Sequence, residues 1–353
     1  MFRTVFLIAA AVLSAAPALA TADLDDDVAA QGMRLVHGRA PDGLERILFR
    51  NGRGKFRRAG GSANHWFDGD GLMRSFTVEN GGVTLAARFA DRPKRPTEAE
   101  LEAVVTPGFG TAGDARARVG SNAVANPANT AVMITGERLW ALWEGGSPLA
   151  MDAATLATAD FVTLRPDLKN MPFQAHPRFA PDGTVWNVGT NADQAIVWHL
   201  NRDDSLIDAR VLTLPRASCL HDFTASERSL IFVLRPWVFD HAEMPFMTQF
   251  AWKQELGTQV LVIDKADLTR TRLYEMETFS FVHLGDGWEE GVFVPKPGTT
   301  VERDAWLTAP SINLTAGVTE LHAFDAAHVE DGPVATWRAD VALPAGFHGA
   351  WRG

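Results

Sequence analysis

The stretch LPRASCLHDFTASERSLIFVLRPWVF (214–239) decides how the rest of the chain is read, because it sets one histidine, His221, between two apolar runs. Residues 230–234 are rich in the β-branched and aromatic types that suit a pleated, half-buried surface, and the small and charged residues ahead of them suit a turn. The pattern predicts a strand end, a histidine, a turn and a return strand. A histidine at the end of a buried strand points where neighbouring strand ends also point. Three other histidines stand in comparable phrases: His176 in QAHPRF, His283 in FVHLGDGWEE and His348 in GFHGAW.

Outward from this stretch the same unit recurs. Residues 131–145, 178–190, 221–234, 258–276 and 319–341 each read as an apolar run, a turn of Gly, Asp or Ser, and a second apolar run. Earlier, 72–78 and 83–89 are two strands joined at Asn80-Gly81-Gly82, a hairpin in which Asn and Gly supply the positive φ of a tight turn. Hairpins at this density predict an all-β fold, and spacings of forty to fifty residues are those of propeller blades, with an immunoglobulin-like sandwich as the rival. Residues 21–58 are polar and read as an irregular wrapping arm, and 97–104 as a short helical insertion between prolines. The phrase HWFDGDG (65–71) has the Asp and Gly content of a calcium loop without its ligand spacing, which favours a structural turn.

The first twenty residues, MFRTVFLIAAAVLSAAPALA, combine an early arginine, a short apolar core and a small-residue end, the pattern of a secretory signal peptide cleaved after Ala20. The mature chain, 21–353, is then one domain with a secreted or periplasmic location. Of 33 basic and 43 acidic residues the signal removes one arginine, leaving 32 against 43, which argues against nucleic acid as a partner. Cys219 is the only cysteine, so no internal disulfide exists. A lone cysteine in an apolar run reads first as a small buried hydrophobe and only second as a metal thiolate.

The four histidines are separated by 45, 62 and 65 residues, so each can belong to a different blade. Inner strands of a propeller converge on its axis, where four imidazoles would make a metal site; taken singly, each histidine reads more readily as a hydrogen-bonded core or surface residue. The phrases around them carry a resemblance. HWFDGDG (65–71), NPANT (126–130), ALWEGGSP (141–148), AHPRF (175–179), HDF (221–223), GTQVLVID (257–264), HLGDGWEE (283–290), VFVPKPG (292–298) and GFHGAW (346–351) stand in the order found in the carotenoid cleavage oxygenases. The chain resembles a shortened member of that family, which includes bacterial apocarotenoid oxygenases and the isomerohydrolase of retinal pigment epithelium.

The resemblance implies a seven-bladed β-propeller holding non-haem iron, Fe(2+), through His176, His221, His283 and His348. It also implies glutamates that accept the outer ring N–H of three ligands, two of which are matched here, Glu144 for His221 and Glu302 for His348. The usual long segment between the third histidine and the VFVP phrase is missing here, since one glycine joins Glu290 to Val292. A blade or part of the dome over the iron is therefore expected to be absent, and His283 to lack its usual partner, with Glu289 or Glu290 as replacements. The implied reaction is oxygenative cleavage, with O2, of a conjugated C=C bond in an apolar carotenoid or apocarotenoid-like polyene. Stilbene cleavage is disfavoured: relatives of that type hold a phenol with a tyrosine and with a lysine just before the glutamate, whereas Trp143 stands there and Tyr274 is the only tyrosine. The apolar run 232–250 reads as core, or as a tunnel mouth fit for peripheral membrane contact. A degenerate propeller that binds metal or an apolar ligand without turnover is the competing reading, and an isomerase a distant third.

Overall fold

A computed structural model describes residues 23–92, 94–136, 138–281, 283–284, 293–299, 304–313 and 315–352. These form antiparallel β-structure with short helical turns, in two compact units that each draw on separate parts of the chain. One unit comprises residues 1–56, 69–89 and 291–353; the other comprises 57–68 and 90–290.

The second unit contains three four-stranded sheets, each a run of consecutive strands. Ala131–Thr135, Arg138–Leu142, Leu149–Asp152 and Thr158–Phe161 make the first. Arg178–Phe179, Val185–Asn191, Gln194–Leu200 and Leu206–Thr213 make the second; Thr224–Ala225, Ser229–Leu234, Thr258–Asp264 and Thr271–Met276 make the third. The middle sheet is covered on both faces, and its sequence shows why. Along Gln194–Leu200, Ile196, Trp198 and Leu200 pack with Trp140, Leu142 and Phe173 on one side. The alternate residues Ala195 and Val197 pack with Phe223, Phe232 and Ile263 on the other. A period of two with apolar residues in both phases is what a sheet stacked between two others requires.

The first unit holds a nine-stranded sheet in the order Phe293–Pro295, Ala305–Asn313, Val318–Asp325, Ala335–Arg338, Val28–Gly38, Gly82–Phe89, Asp70–Glu79, Arg46–Lys55, Gly346–Arg352. Val28–Gly38 serves two arrays at once: residues 28–33 pair with Gly82–Phe89 and residues 34–38 with Ala335–Arg338. It thereby links two four-stranded sets. Together with the three sheets of the other unit, the described residues build five four-stranded arrays of the kind that form propeller blades.

Two sequence expectations are corrected. Residues 21–58 are no irregular arm, because Val28–Gly38 and Arg46–Lys55 are long strands inside the sheet. Their many charged residues hid an apolar series, Met33, Leu44, Leu48 and Phe49, that is buried. The helical insertion lies slightly earlier, at Lys94–Glu100, and ends where Glu98 turns inward to accept the amides of Val105 and Thr106. The expected hairpin is present as Asp70–Glu79 and Gly82–Phe89, with Asn80 (φ 51°) and Gly81 (φ 76°) in the left-handed region between them. In HWFDGDG, Asp68 accepts the amides of Phe109 and Gly110 and the Thr111 hydroxyl, so this loop is a structural clasp.

Candidate metal centre

His176 stands two residues ahead of the strand Arg178–Phe179, and His221 three residues ahead of Thr224–Ala225. Each strand is the first of its sheet, so the two histidines occupy matching entry points in neighbouring repeats. Main-chain ties fix both. Asn187 accepts the Gln174 N–H at 2.8 Å and donates to the Gln174 carbonyl at 3.0 Å, while the Gln174 amide donates to the carbonyl of Leu220. His283 follows the last strand of the third sheet and lies in no regular element.

The three rings converge. His221 Nε2 lies 3.3 Å from His176 Nε2 and 3.3 Å from His283 Nε2, with ring centroids 4.9 to 5.2 Å apart. His176 is buried, His221 half-buried and His283 exposed. Glu144, at the end of the first sheet's second hairpin strand, lies with Oε2 2.8 Å from His221 Nδ1. A carboxylate only accepts, so His221 Nδ1 carries the proton and Nε2 presents a lone pair toward the other two rings. Burial works to raise the Glu144 carboxyl, but the charge and hydrogen bond of His221, with His176 and His283 behind it, outweigh this and hold it below the usual carboxylate range. The Glu144 charge in turn raises His221 against its own burial.

Such a cluster fits a metal ion. Nε2–metal bonds of about 2.1 Å set about 100° apart place two nitrogens roughly 3.2 Å from each other. The observed 3.3 Å separations match that spacing. Neutral imidazoles suit zinc, copper, nickel and iron, so the donor set admits ferrous iron without singling it out.

His348 lies half-buried on Gly346–Arg352 in the first unit. Glu302, Glu289 and Glu290 lie outside the described residues. Cys219 is buried, burial with the nearby Glu144 charge pushes its thiol up to about 12, and it is not among the donors that meet at the trio. The apolar run 232–250 divides: Phe232 and Leu234 are core, whereas Met244 and Met247 are exposed and the Phe246 ring makes tilted contacts with Phe109 and Phe250. Tyr274 is exposed on the third sheet's outer strand. Among the described residues no helix is long and apolar enough to cross a membrane.

Three residues at the site escaped the sequence reading: Arg178, Asp222 and Arg235. Arg178 and Asp222 form a buried ion pair beside two of the histidines, and Arg235 donates to the Phe281 carbonyl, two residues before the third. The available signal was position, since Arg178 follows His176 by two residues and Asp222 directly follows His221, whereas Arg235 stands far in sequence from all three histidines and gave none.

Known proteins with this pattern bear on its kinship. The chain is 28% identical over 213 residues to an apocarotenoid-15,15'-oxygenase of Synechocystis sp., covering 56% of this chain and 44% of that one. It is 25% identical over 303 residues to the human beta,beta-carotene 15,15'-dioxygenase, covering 73% and 55%. The chain thus spans about half the length of the curated relatives it matches. Solved structures of a Synechocystis apocarotenoid oxygenase variant and of the cobalt-substituted Synechocystis enzyme each superpose with TM-score 0.82 at 17% identity, over 95% of this chain and 98% of theirs. At that identity the likeness shows the fold, which is all-β and of the propeller type. The family model described as retinal pigment epithelial membrane protein matches residues 21–292 and 289–353, two pieces that meet where Glu290 and Val292 are joined by one glycine. The chain therefore belongs to the retinal pigment epithelial membrane protein family, the carotenoid cleavage oxygenases.

Proposed function

We propose that this chain is a non-haem Fe(II) dioxygenase that cleaves a conjugated C=C bond of a carotenoid or apocarotenoid-like polyene into two carbonyl products. The observation that carries the reading is the convergence of three Nε2 atoms with Glu144 behind the central ring. His176, His221 and His283 would hold the metal. The family resemblance adds His348 as a fourth ligand, on sequence grounds alone, and Glu302 as its partner. Iron held by neutral imidazoles keeps its full charge and open positions, which supplies dioxygen chemistry.

The protein's own part is positional. Glu144 keeps the His221 proton on Nδ1, so that Nε2 stays available as a ligand. The buried side of the site, with His176 and the core around Phe173 and Phe223, limits water there. Trp143 beside Glu144 supports an apolar polyene rather than a hydroxystilbene. Iron content by plasma emission, combined with chromatography of products from an apocarotenal incubated under 18O2, tests the proposal. One iron per chain with two labelled carbonyl products is the expected result.

The chain's half-length match favours one competing reading, a relative that binds metal without turnover. Stoichiometric iron with intact substrate would establish it and reject the dioxygenase. Export as a secreted or periplasmic protein is part of the proposal, supported by the residues 1–20 pattern, and the N-terminus of the mature protein tests it, with Thr21 expected. Peripheral membrane contact through the 232–250 run is supported by the exposed Met244 and Met247. Met247→Glu should then reduce flotation with phospholipid vesicles, and unchanged flotation would remove this element.

A further inference from the structure

We infer that Arg178 and Asp222 are positioning residues for His283, holding the third imidazole in line with the other two through the backbone of Leu284. The inference rests on the metal-site reading above and deepens it. His283 belongs to no strand and is the exposed member of the trio, so no ladder of hydrogen bonds sets its direction. The residue after it is gripped at both polar ends. Leu284 N–H donates to Asp222 Oδ2 at 2.8 Å, and the Leu284 carbonyl accepts from Arg178 Nη2 at 3.3 Å.

The grip is itself well anchored. Asp222 Oδ1 accepts from Arg178 Nη2 and from the Phe223 N–H at 2.7 Å, and Arg178 Nε donates to the Phe223 carbonyl at 2.8 Å. The Arg178 guanidinium also lies over the Phe223 ring, 5.6 Å from its centroid. Arg178 is 5% exposed and Asp222 1%. A buried ion pair is seldom worth more than well-packed apolar residues of the same volume, so its retention calls for a role that packing does not fill. Here the bonds supply one. Arg178 comes two residues after His176, Asp222 directly follows His221, and Leu284 directly follows His283, so one pair ties together all three ligand-bearing segments. On the other side of His283, Arg235 donates to the Phe281 carbonyl and lies over the Phe281 ring at 4.9 Å. The loop is pinned on both flanks of the ligand.

Asp222→Asn tests this, because an amide has one accepting oxygen where the carboxylate has two, and either Arg178 or Leu284 loses its acceptor. Co(II) is titrated against a chelator into the wild type, Asp222→Asn, His283→Ala and the double variant. Asp222→Asn should lower Co(II) affinity about ten- to a hundredfold, the range for residues that orient a ligand. In the His283→Ala background it should add nothing, since the effect acts through that ring. Equal losses in both backgrounds would mean a general structural role and overturn the proposal.

Arg178→Lys keeps the charge but not the guanidinium fork, and should show the same coupling to His283. Amide exchange of the metal-free protein gives a second, independent reading. The Leu284 amide should be protected in the wild type and fast in Asp222→Ala, which removes both oxygens, with the amides of Gln194–Leu200 unchanged; a Leu284 amide indifferent to that substitution refutes the grip. A wild type that binds no Co(II) would sink the metal-site reading, and Leu284 exchange would then decide the grip alone.

Discussion

Replacing Glu144 separates the charge of the carboxylate from its hydrogen bond, and the structure gives the size of each effect. Glu144→Gln keeps an oxygen that can accept from His221 Nδ1 at the present 2.8 Å but removes the negative charge. A hydrogen bond to a charged group contributes about 1.5–3 kcal/mol and a neutral one about 0.5–1.5, so the loss is of order 1–1.5 kcal/mol. The Glu144 side chain is 31% exposed, which screens its charge and selects the lower end. At about 1.4 kcal/mol per factor of ten, metal affinity should fall roughly fivefold. Glu144→Ala removes the acceptor altogether and strands the Nδ1–H, at about 1–3 kcal/mol, so affinity should fall by up to about a hundredfold. Anaerobic titration of Fe(II) against a chelator measures both, with circular dichroism to show that the fold survives. Equal affinities for wild type, Gln and Ala would refute the view that Glu144 orients His221, and would leave it a partly exposed strand-end charge.

Alanine at His176 or His221 should abolish tight metal binding, and alanine at His283, the exposed member, should leave weaker but measurable binding; unchanged metal affinity in two of the three single variants would dismantle the trio as a site. Cys219→Ser should leave metal stoichiometry intact, because its sulfur is not among the donors that meet at the trio, and a lost metal would reveal a sulfur ligand. Phe232→Ala should destabilise the chain by about 3–5 kcal/mol in urea unfolding, since this ring is fully buried against Phe223 between the second and third sheets. Gly81→Ala should cost about 1–2 kcal/mol at the left-handed turn position, with no change in metal affinity.

What could be read from the residues alone follows from the range of the interactions involved. The hairpin at Asn80-Gly81 was legible because turn conformation is local and only certain residues adopt positive φ. The second apolar run of 178–190 was legible as a strand, present as Val185–Asn191, but not that both its faces are buried, Val185 on one side and Trp186 and Val188 on the other, since that depends on sheets contributed by residues far along the chain. Val28–Gly38 was missed for the same reason. Only two of its eleven residues, Met33 and the partly buried Val28, pack into the core, and it exists as a strand because Gly82–Phe89 and Ala335–Arg338 offer it two edges. At the site, the histidine phrases stood out by their likeness to a known family. Arg178 and Asp222 did not, because a charge beside a histidine is ordinary until its partner, 44 residues away, is seen to share its burial.

The placement of the three histidines explains why a shortened chain can still bring them together. His176 and His221 each precede the first strand of a sheet, so their positions are inherited from the repeat, and stacking the second sheet against the third brings them together. His283 has no such inheritance among the described residues, since it trails the last strand of the third sheet. Its alignment must be supplied by side chains, and those available belong to the sheets that carry the other two histidines: Arg178 from the second, Asp222 and Arg235 from the third. The described groups that hold the two flanks of His283, namely Arg178, Asp222 and Arg235, all precede it in the chain. The trio depends on the interface between two sheets, and a substitution at that interface such as Phe232→Ala should weaken metal binding along with stability, whereas Gly81→Ala, in the other unit, should touch stability alone.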